Sequence, residues 1–307
     1  MINLLTATWD TQTKEGDEMA TVMSGKEVAN HIREELNNDL LELNKKNIFP
    51  RAAIVRVGDD SASIGYENAA IKLFNKLGIE SQSFHFPGDI SEEEFIEEFQ
   101  KINNNDDIHG ILLLRPLPSQ IDEEKISYII NPDKDIDGMS PVNIGKVLSP
   151  QKGDFVPITP ESVMRTLEYY GVELEGKNVV IIGHSRVVGR PLSMLLADKN
   201  ATVTICHVYT KNTAEICKQA DIVISATGVA GLVTTDYVKE GAVVVDVGTS
   251  YVDGKLRGDV DYDNVKELAS HITPVPGGIG AITTTLLAQR VVTAAKHLTE
   301  KRETVTV

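Results

Sequence analysis

Residues 177–183, KNVVIIG, carry an apolar run straight into a glycine, and a helical stretch opens near Gly189. A run of that kind is buried on both faces, so it reads as an inner strand of a parallel sheet. Three further runs recur at βα spacing: ATVTI (201–205), DIVISATG (221–228) and AVVVDVG (242–248). The second half of the chain therefore reads as a Rossmann-like unit.

The first half alternates in the same way. Ser24 with Glu27 reads as a capping box, and Val28, Ile32, Leu36, Leu40 and Leu43 recur at helical spacing behind it. RAAIVRVG (51–58), SQSFHF (81–86) and IHGILLLRPLP (108–118) read as strands. Helices are expected from Tyr66 to Leu77 and from the Ser91/Glu94 cap to Ile102. The prolines and glycine of 150–160 mark a linker, with a helix after it over 162–170. Thr283 to Lys296 is helical and is expected to pack back on the first domain.

The chain has 307 residues, enough for two domains. The expected fold class is α/β. An N-terminal parallel-sheet domain covers 19–150, with a C-terminal helix over 283–300 returning to it. A Rossmann-like domain covers 151–282, and a cleft lies between the two. Residues 1–18, which include Trp9, read as an unstructured extension, and Met19 could equally start the chain.

Lys plus Arg is 30 and Asp plus Glu is 45, a net charge of −15. That field repels polyanions, which argues against a nucleic-acid or anionic-membrane binder. It leaves room for a small anion held in a local basic pocket. No apolar run reaches the roughly 18 residues of a membrane span. Cys206 and Cys217 are the only cysteines, too few for a disulfide framework or a zinc site, and a cytoplasmic setting is the simplest reading. Cys206 ends an apolar strand and reads as a buried, inert thiol. His85, His109, His207 and His271 lack metal-ligand spacing, and no metal is expected.

The turn Gly183-His184-Ser185-Arg186-Val187-Val188-Gly189 sits where a strand meets a helix. Glycines at its ends allow a tight turn and a close approach of phosphates to the helix N-terminus. Ser185 replaces the middle glycine of the usual fingerprint, so the turn fits a nucleotide site and also an ordinary βα turn. The second strand of the unit ends Cys206-His207-Val208-Tyr209, without the acid that holds ribose hydroxyls in an NAD site. His184, Arg186 and Lys211 are neighbours that would not repel a 2′-phosphate. NADP is permitted, and NAD is not excluded.

Six fragments taken together narrow the reading: VGDDSASIGY (57–66), GILLLRPLP (110–118), NPDKDIDGMSPVNIGKV (131–147), VVIIGHSRVVGRPLSMLL (179–196), GDVDY (258–262) and TPVPGGIGAITTTLL (273–287). This set resembles the methylenetetrahydrofolate dehydrogenase/methenyltetrahydrofolate cyclohydrolase family, from about residue 20 to 300. The resemblance implies a folate-binding first domain, an NADP-binding second domain and a homodimer. It implies hydride transfer from 5,10-methylenetetrahydrofolate, then hydrolysis of the methenyl cation to 10-formyltetrahydrofolate. By the same resemblance Tyr66 packs on the folate rings and Asp137 binds the pterin. Pro276, Gly277, Gly278 and Gly280 form a loop near folate and nicotinamide, and Gly183, His184, Ser185, Val208, Gly228 and Thr249 meet the cofactor. A carboxylate suits a pterin edge, which offers neighbouring N–H donors. A turn aspartate before Gly138 is the structural alternative for Asp137.

The chain departs from the family where the chemistry lies. The family lysine four residues after the tyrosine is Ala70, the glutamine is Leu114, and Arg115 follows it. His184 stands for an arginine, Val208 for a serine, and Ala281-Ile282 for Pro-Met. Hydride removal needs positioning and no base, whereas hydrolysis is acid–base work. A dehydrogenase with impaired or rerouted cyclohydrolase activity is therefore expected. Lys72 lies about 200° round a helix from position 70 and is a poor substitute. Arg115 joins Tyr66 and Asp137 as a candidate catalytic residue, meeting the folate glutamate tail or filling the lysine's place, although its guanidinium cannot act as a base. Two other readings remain: a non-catalytic folate- or nucleotide-binding paralogue, and another two-domain NADP dehydrogenase such as a shikimate-dehydrogenase-like enzyme.

Overall fold

The computed structural model describes residues 20–151 and 153–305, so the expectations for residues 1–18 and Met19 lie outside the described residues. The chain opens with strand β1 (Thr21–Val22) and helix α1 (Gly25–Lys45). It continues through β2 (Arg51–Val57), α2 (Ser61–Leu77), β3 (Glu80–Phe86), α3 (Glu92–Asn103), β4 (Gly110–Leu113), α4 (Glu123–Ile129) and α5 (Pro141–Gly145). Strands β2, β3 and β4 form a parallel sheet in the order β3-β2-β4. Its two faces bury separate apolar clusters, one holding Ile54 and Phe74, the other Val55 and Phe99.

The second lobe follows α6 (Ile158–Tyr169). It comprises β5 (Asn178–Ile182), α7 (Gly189–Asp198), β6 (Thr202–Cys206), α8 (Thr213–Cys217), β7 (Ile222–Ser225), β8 (Val243–Asp246), the hairpin β9 (Ser250–Val252) with β10 (Lys255–Arg257), α9 (Tyr262–Val265) and β11 (His271–Ile272). Its parallel sheet runs β1-β11-β8-β7-β5-β6. The order reverses at β5, a switch point beside which open α/β sheets bind ligands at the strands' carboxyl ends. The edge strand β1 comes from residues 21–22, ahead of the first lobe. Helix α10 (Gly280–Val305) returns to the first lobe, where Leu286 and Val291 share a cluster with Ile32 and Leu36 of α1.

Several local expectations change on folding. Helix α2 starts at Ser61, five residues before Tyr66, because the Asp60 carboxylate caps it by accepting from the Ser63 backbone N–H at 2.8 Å. The apolar run 108–118 yields a four-residue strand, as Pro116 and Pro118 lack N–H donors for a ladder. Helix α6 begins at Ile158, inside the segment read as linker. The Ser24/Glu27 box does not close. Tyr170 intervenes: its hydroxyl accepts from the Ser24 N–H at 2.7 Å and lies 3.1 Å from the Glu27 carboxylate. The Ser91 cap does form, with the Glu94 N–H donating to Oγ at 3.2 Å. Cys206 and Cys217 are both buried free thiols. No helix among the described residues is long and apolar enough to cross a membrane.

Candidate active site

The motif Asp135-Ile136-Asp137-Gly138 builds one wall of the site, and its two acids face opposite ways. Asp135 is fully buried. Its carboxylate accepts from the backbone N–H groups of Gly138, Met139 and Ser140 and from the Asn143 amide. It organises the loop. Asp137 lines a cavity of about 300 Å³. Its backbone is pinned on both sides, since Ile136 O accepts from Arg290 Nη1 at 2.8 Å and Asp137 O from the Ile158 N–H at 3.1 Å. Gly138 takes φ +71°, and a Cβ there would lie 2.5 Å from Val156 O, so only glycine lets the two segments touch.

The cavity sits between the lobes. Arg115, Glu123, Asp137 and Met139 line it from the first lobe, and Arg186 and Val187 of the β5–α7 turn from the second. Arg115 Nη2 donates to Asp137 Oδ2 at 2.9 Å, and Nη1 to Glu123 Oε1 at 3.2 Å. Burial works against the Arg115 charge, yet Asp137 and Glu123 outweigh it and raise its pKa above the ordinary arginine value. Burial pushes the Asp137 carboxyl above the usual carboxylate range, against the pull of Arg115. Across the cleft Arg186 meets Glu124 at 3.5 Å.

Tyr66 lies behind this wall and does not line the cavity. Thr283 and Thr284 of α10 flank its hydroxyl, Asp137 and Arg115 act on it electrostatically, and burial raises its pKa. The ring packs on the cluster that holds Ala70 and Leu114, both buried. At the two positions where the resemblance calls for lysine and glutamine, the side chains are therefore apolar and buried. Lys72 is exposed, away from the site. The Pro276–Gly280 loop feeds the first turn of α10 that reaches Tyr66. Gly25 N donates to Gly277 O at 2.8 Å, and a Cβ on Gly25 would fall 2.0 Å from Gly278 O. The loop backbone thus lies directly on the start of α1.

The candidate cofactor residues collect along one rim of the larger sheet. Gly183 follows β5, Val208 follows β6, Gly228 follows β7 and Thr249 follows β8, all at carboxyl ends of parallel strands. Gly183 has φ +125°, and a Cβ on Gly189 would lie 1.9 Å from Gly183 O. That close approach brings the turn backbone against the start of α7, a glycine-rich strand–turn–helix of the form that receives a pyrophosphate. Ser185 Oγ accepts from the Val188 N–H at 3.1 Å and shapes the turn. The His184 and His207 rings stand 4.7 Å apart. His207 Nδ1 accepts from the Tyr209 N–H at 3.2 Å, so its proton is on Nε2. Val208 and Tyr209 are highly exposed and offer an apolar surface beside the rings. Among the described residues no cluster of three or more His, Cys, Asp or Glu side chains could hold a metal.

Sequence reasoning missed Glu123 and Arg290. Glu123 reaches Arg115 only through tertiary packing and carries no local signal. Arg290 is nearly fully buried and pairs with Glu161 while holding Ile136 O. A cation inside the apolar stripe LLAQRVV could have marked it.

Comparison with known proteins agrees with this arrangement. Residues 23–137 match the family model described as tetrahydrofolate dehydrogenase/cyclohydrolase, catalytic domain, and residues 157–299 match its NAD(P)-binding domain. A bifunctional protein FolD of Alkaliphilus metalliredigens is 46% identical over 280 residues, 91% of this chain and 99% of that protein. The crystal structure of the Campylobacter jejuni bifunctional FolD enzyme superposes with a TM-score of 0.88 at 39% identity, covering 91% of this chain and 99% of that one. The Trypanosoma brucei dehydrogenase-cyclohydrolase, complexed with NADP cofactor and inhibitor, gives 0.85 at 36% identity over 91% and 98%. Two family models that together match most of the chain, with relatives this similar over nine tenths of it, make this chain a member of the tetrahydrofolate dehydrogenase/cyclohydrolase family.

Proposed function

We propose that this chain oxidises 5,10-methylenetetrahydrofolate to the 5,10-methenyl cation with NADP, and that its hydrolysis of that cation to 10-formyltetrahydrofolate is impaired. The observation that carries the reading is the inter-lobe cavity with the Asp137 carboxylate on one wall and Arg186 of the Gly183–Gly189 turn on the other. Asp137 accepts the pterin N–H donors, and by the family resemblance Tyr66 and the Pro276–Gly280 loop, which stand outside the cavity lining, flank the ring system. Gly183, His184, Ser185, Val208, Gly228 and Thr249 would hold the cofactor, whose nicotinamide ring would supply the hydride acceptor. The folate lobe is 19–150 with helix 283–300, and the nucleotide lobe is 151–282.

Hydride transfer needs the two carbons held together and no general base. Hydrolysis needs a proton taken from water and one given to a ring nitrogen. Ala70 and Leu114 supply neither, and Arg115 holds its proton. In this reading the protein works in the cytoplasm as a homodimer.

The test is one preparation assayed for both half-reactions with both nicotinamide cofactors. NADP reduction by methylenetetrahydrofolate, with methenyl absorbance accumulating, supports the proposal. No reduction with either cofactor by folded protein favours a non-catalytic binding paralogue. Hydrolysis well above the buffer rate removes the impaired-cyclohydrolase part.

A further inference from the structure

We infer that Arg115 is a positioning residue that holds Asp137 ionised and oriented for substrate, while Glu123 leaves the three-residue cluster with one net negative charge beside the carbon that becomes cationic. The inference rests on the folate reading above and goes beyond it, because it assigns a role to a residue outside the family pattern.

The geometry comes first. Arg115 bridges two carboxylates, at 2.9 Å to Asp137 and 3.2 Å to Glu123, on the wall of the inter-lobe cavity. Its backbone is tied to the start of α2, where Ser63 Oγ donates to Arg115 O at 3.3 Å. A carboxylate offers about four lone-pair directions. Arg115 takes one, on Oδ2, so Oδ1 and the rest of Oδ2 remain for a pair of N–H donors. The guanidinium and a pterin edge can therefore share Asp137.

The charged and titratable groups around Asp137 come from four elements. Arg115 follows β4, Asp135 lies in the same loop, Arg290 is on α10 and Tyr66 is on α2. Asp135 is saturated by loop N–H groups and the Asn143 amide and adds only repulsion. Arg290 spends its Nη groups on Ile136 O, Val156 O and Glu161. Among the described residues, Arg115 is the side chain that hydrogen-bonds the Asp137 carboxylate. Burial favours the protonated acid, which could no longer accept two N–H bonds. Arg115 opposes that shift, and removing it would let burial lift the carboxyl further.

The charge also suits the step. One guanidinium and two carboxylates sum to one negative charge. Loss of a hydride makes the one-carbon bridge positive, and a fixed anion nearby stabilises that change without a proton transfer.

The experiment is the pH profile of kcat/KM for methylenetetrahydrofolate oxidation in wild type, Arg115→Leu, Arg115→Lys and Glu123→Gln. Arg115→Leu should move the acid limb up by about one to three pH units. It should raise the folate KM while leaving the NADP KM in place. Arg115→Lys should keep the acid limb near its wild-type position. Glu123→Gln, a substitution at a half-buried side chain that leaves the guanidinium to Asp137 alone, should move the limb down. An acid limb unmoved in Arg115→Leu overturns the inference. If that variant does not fold, a limb in Glu123→Gln that stays or moves up does the same. Wild-type protein that transfers no hydride defeats the functional proposal instead, so the two failures are distinct.

Discussion

Ala70 on α2 and Leu114 just beyond β4 are buried in one apolar cluster, with the Tyr66 ring packed against it. In the proposed reading, the two positions that would serve hydrolysis are therefore buried hydrocarbon, and the wall that would meet the pterin keeps its carboxylate.

Methenyltetrahydrofolate should decay at the buffer rate in the presence of wild-type protein. Restoring a lysine and an amide together, Ala70→Lys with Leu114→Gln, should raise that decay at least tenfold, because acid–base assistance contributes about 10²–10⁴-fold in a well-placed site. Absorbance decay at fixed pH measures it, and a double variant with intact dehydrogenase and no gain would show that the two side chains are not what is missing.

Asp135 and Asp137 should separate stability from binding. Asp135→Ala strands three buried backbone N–H groups and an amide, a loss of about 3–5 kcal/mol by urea denaturation. Asp137→Asn should leave the fold largely intact and weaken folate binding at least tenfold by calorimetry. Equal stability losses in both would contradict the division of labour.

Gly189→Ala should damage cofactor binding first. The new Cβ would lie 1.9 Å from Gly183 O, a backbone atom that can yield only if the turn opens. NADP affinity should fall at least tenfold, with a stability cost of about 1–3 kcal/mol. Unchanged NADP affinity would mean the phosphates lie elsewhere.

His207 stands where an acid would select NAD. His207→Asp can still accept from the Tyr209 N–H and would repel a 2′-phosphate. The ratio of NADP to NAD affinity should drop at least tenfold, chiefly through NADP. Parallel titrations with both dinucleotides decide this.

Stability should fall as pH rises from about 4 to 6. Burial lifts the Asp246 carboxyl to about 6, against the N–H bonds it accepts from Val260, Asp259 and Gly248. Below the ordinary carboxylate pKa both states are protonated and nothing is lost. Between the two values the unfolded chain ionises first, which costs the fold about 3 kcal/mol by the upper end. Urea midpoints over this range should slope downward in wild type and less in Asp246→Asn. Identical slopes would remove Asp246 as the cause.

The amino-acid order alone determined the two βα lobes, the glycine turn after β5 and the return of the last helix. Each rests on local periodicity or on a residue with unusual backbone freedom, and such signals survive in one dimension. The motif around Asp137 was equally visible and the resemblance singled out Asp137, but no local signal gave the physical reason that separates the loop-building Asp135 from the cavity-facing Asp137. Only tertiary structure decided that, because burial and the direction of a side chain depend on what packs from elsewhere. The same holds for the Arg115 bridge to Glu123, for the buried Arg290, for Tyr170 displacing the Ser24 cap, and for residues 21–22 joining the distant sheet. Those are contacts between segments far apart in the chain, and their energies appear only once the lobes are assembled.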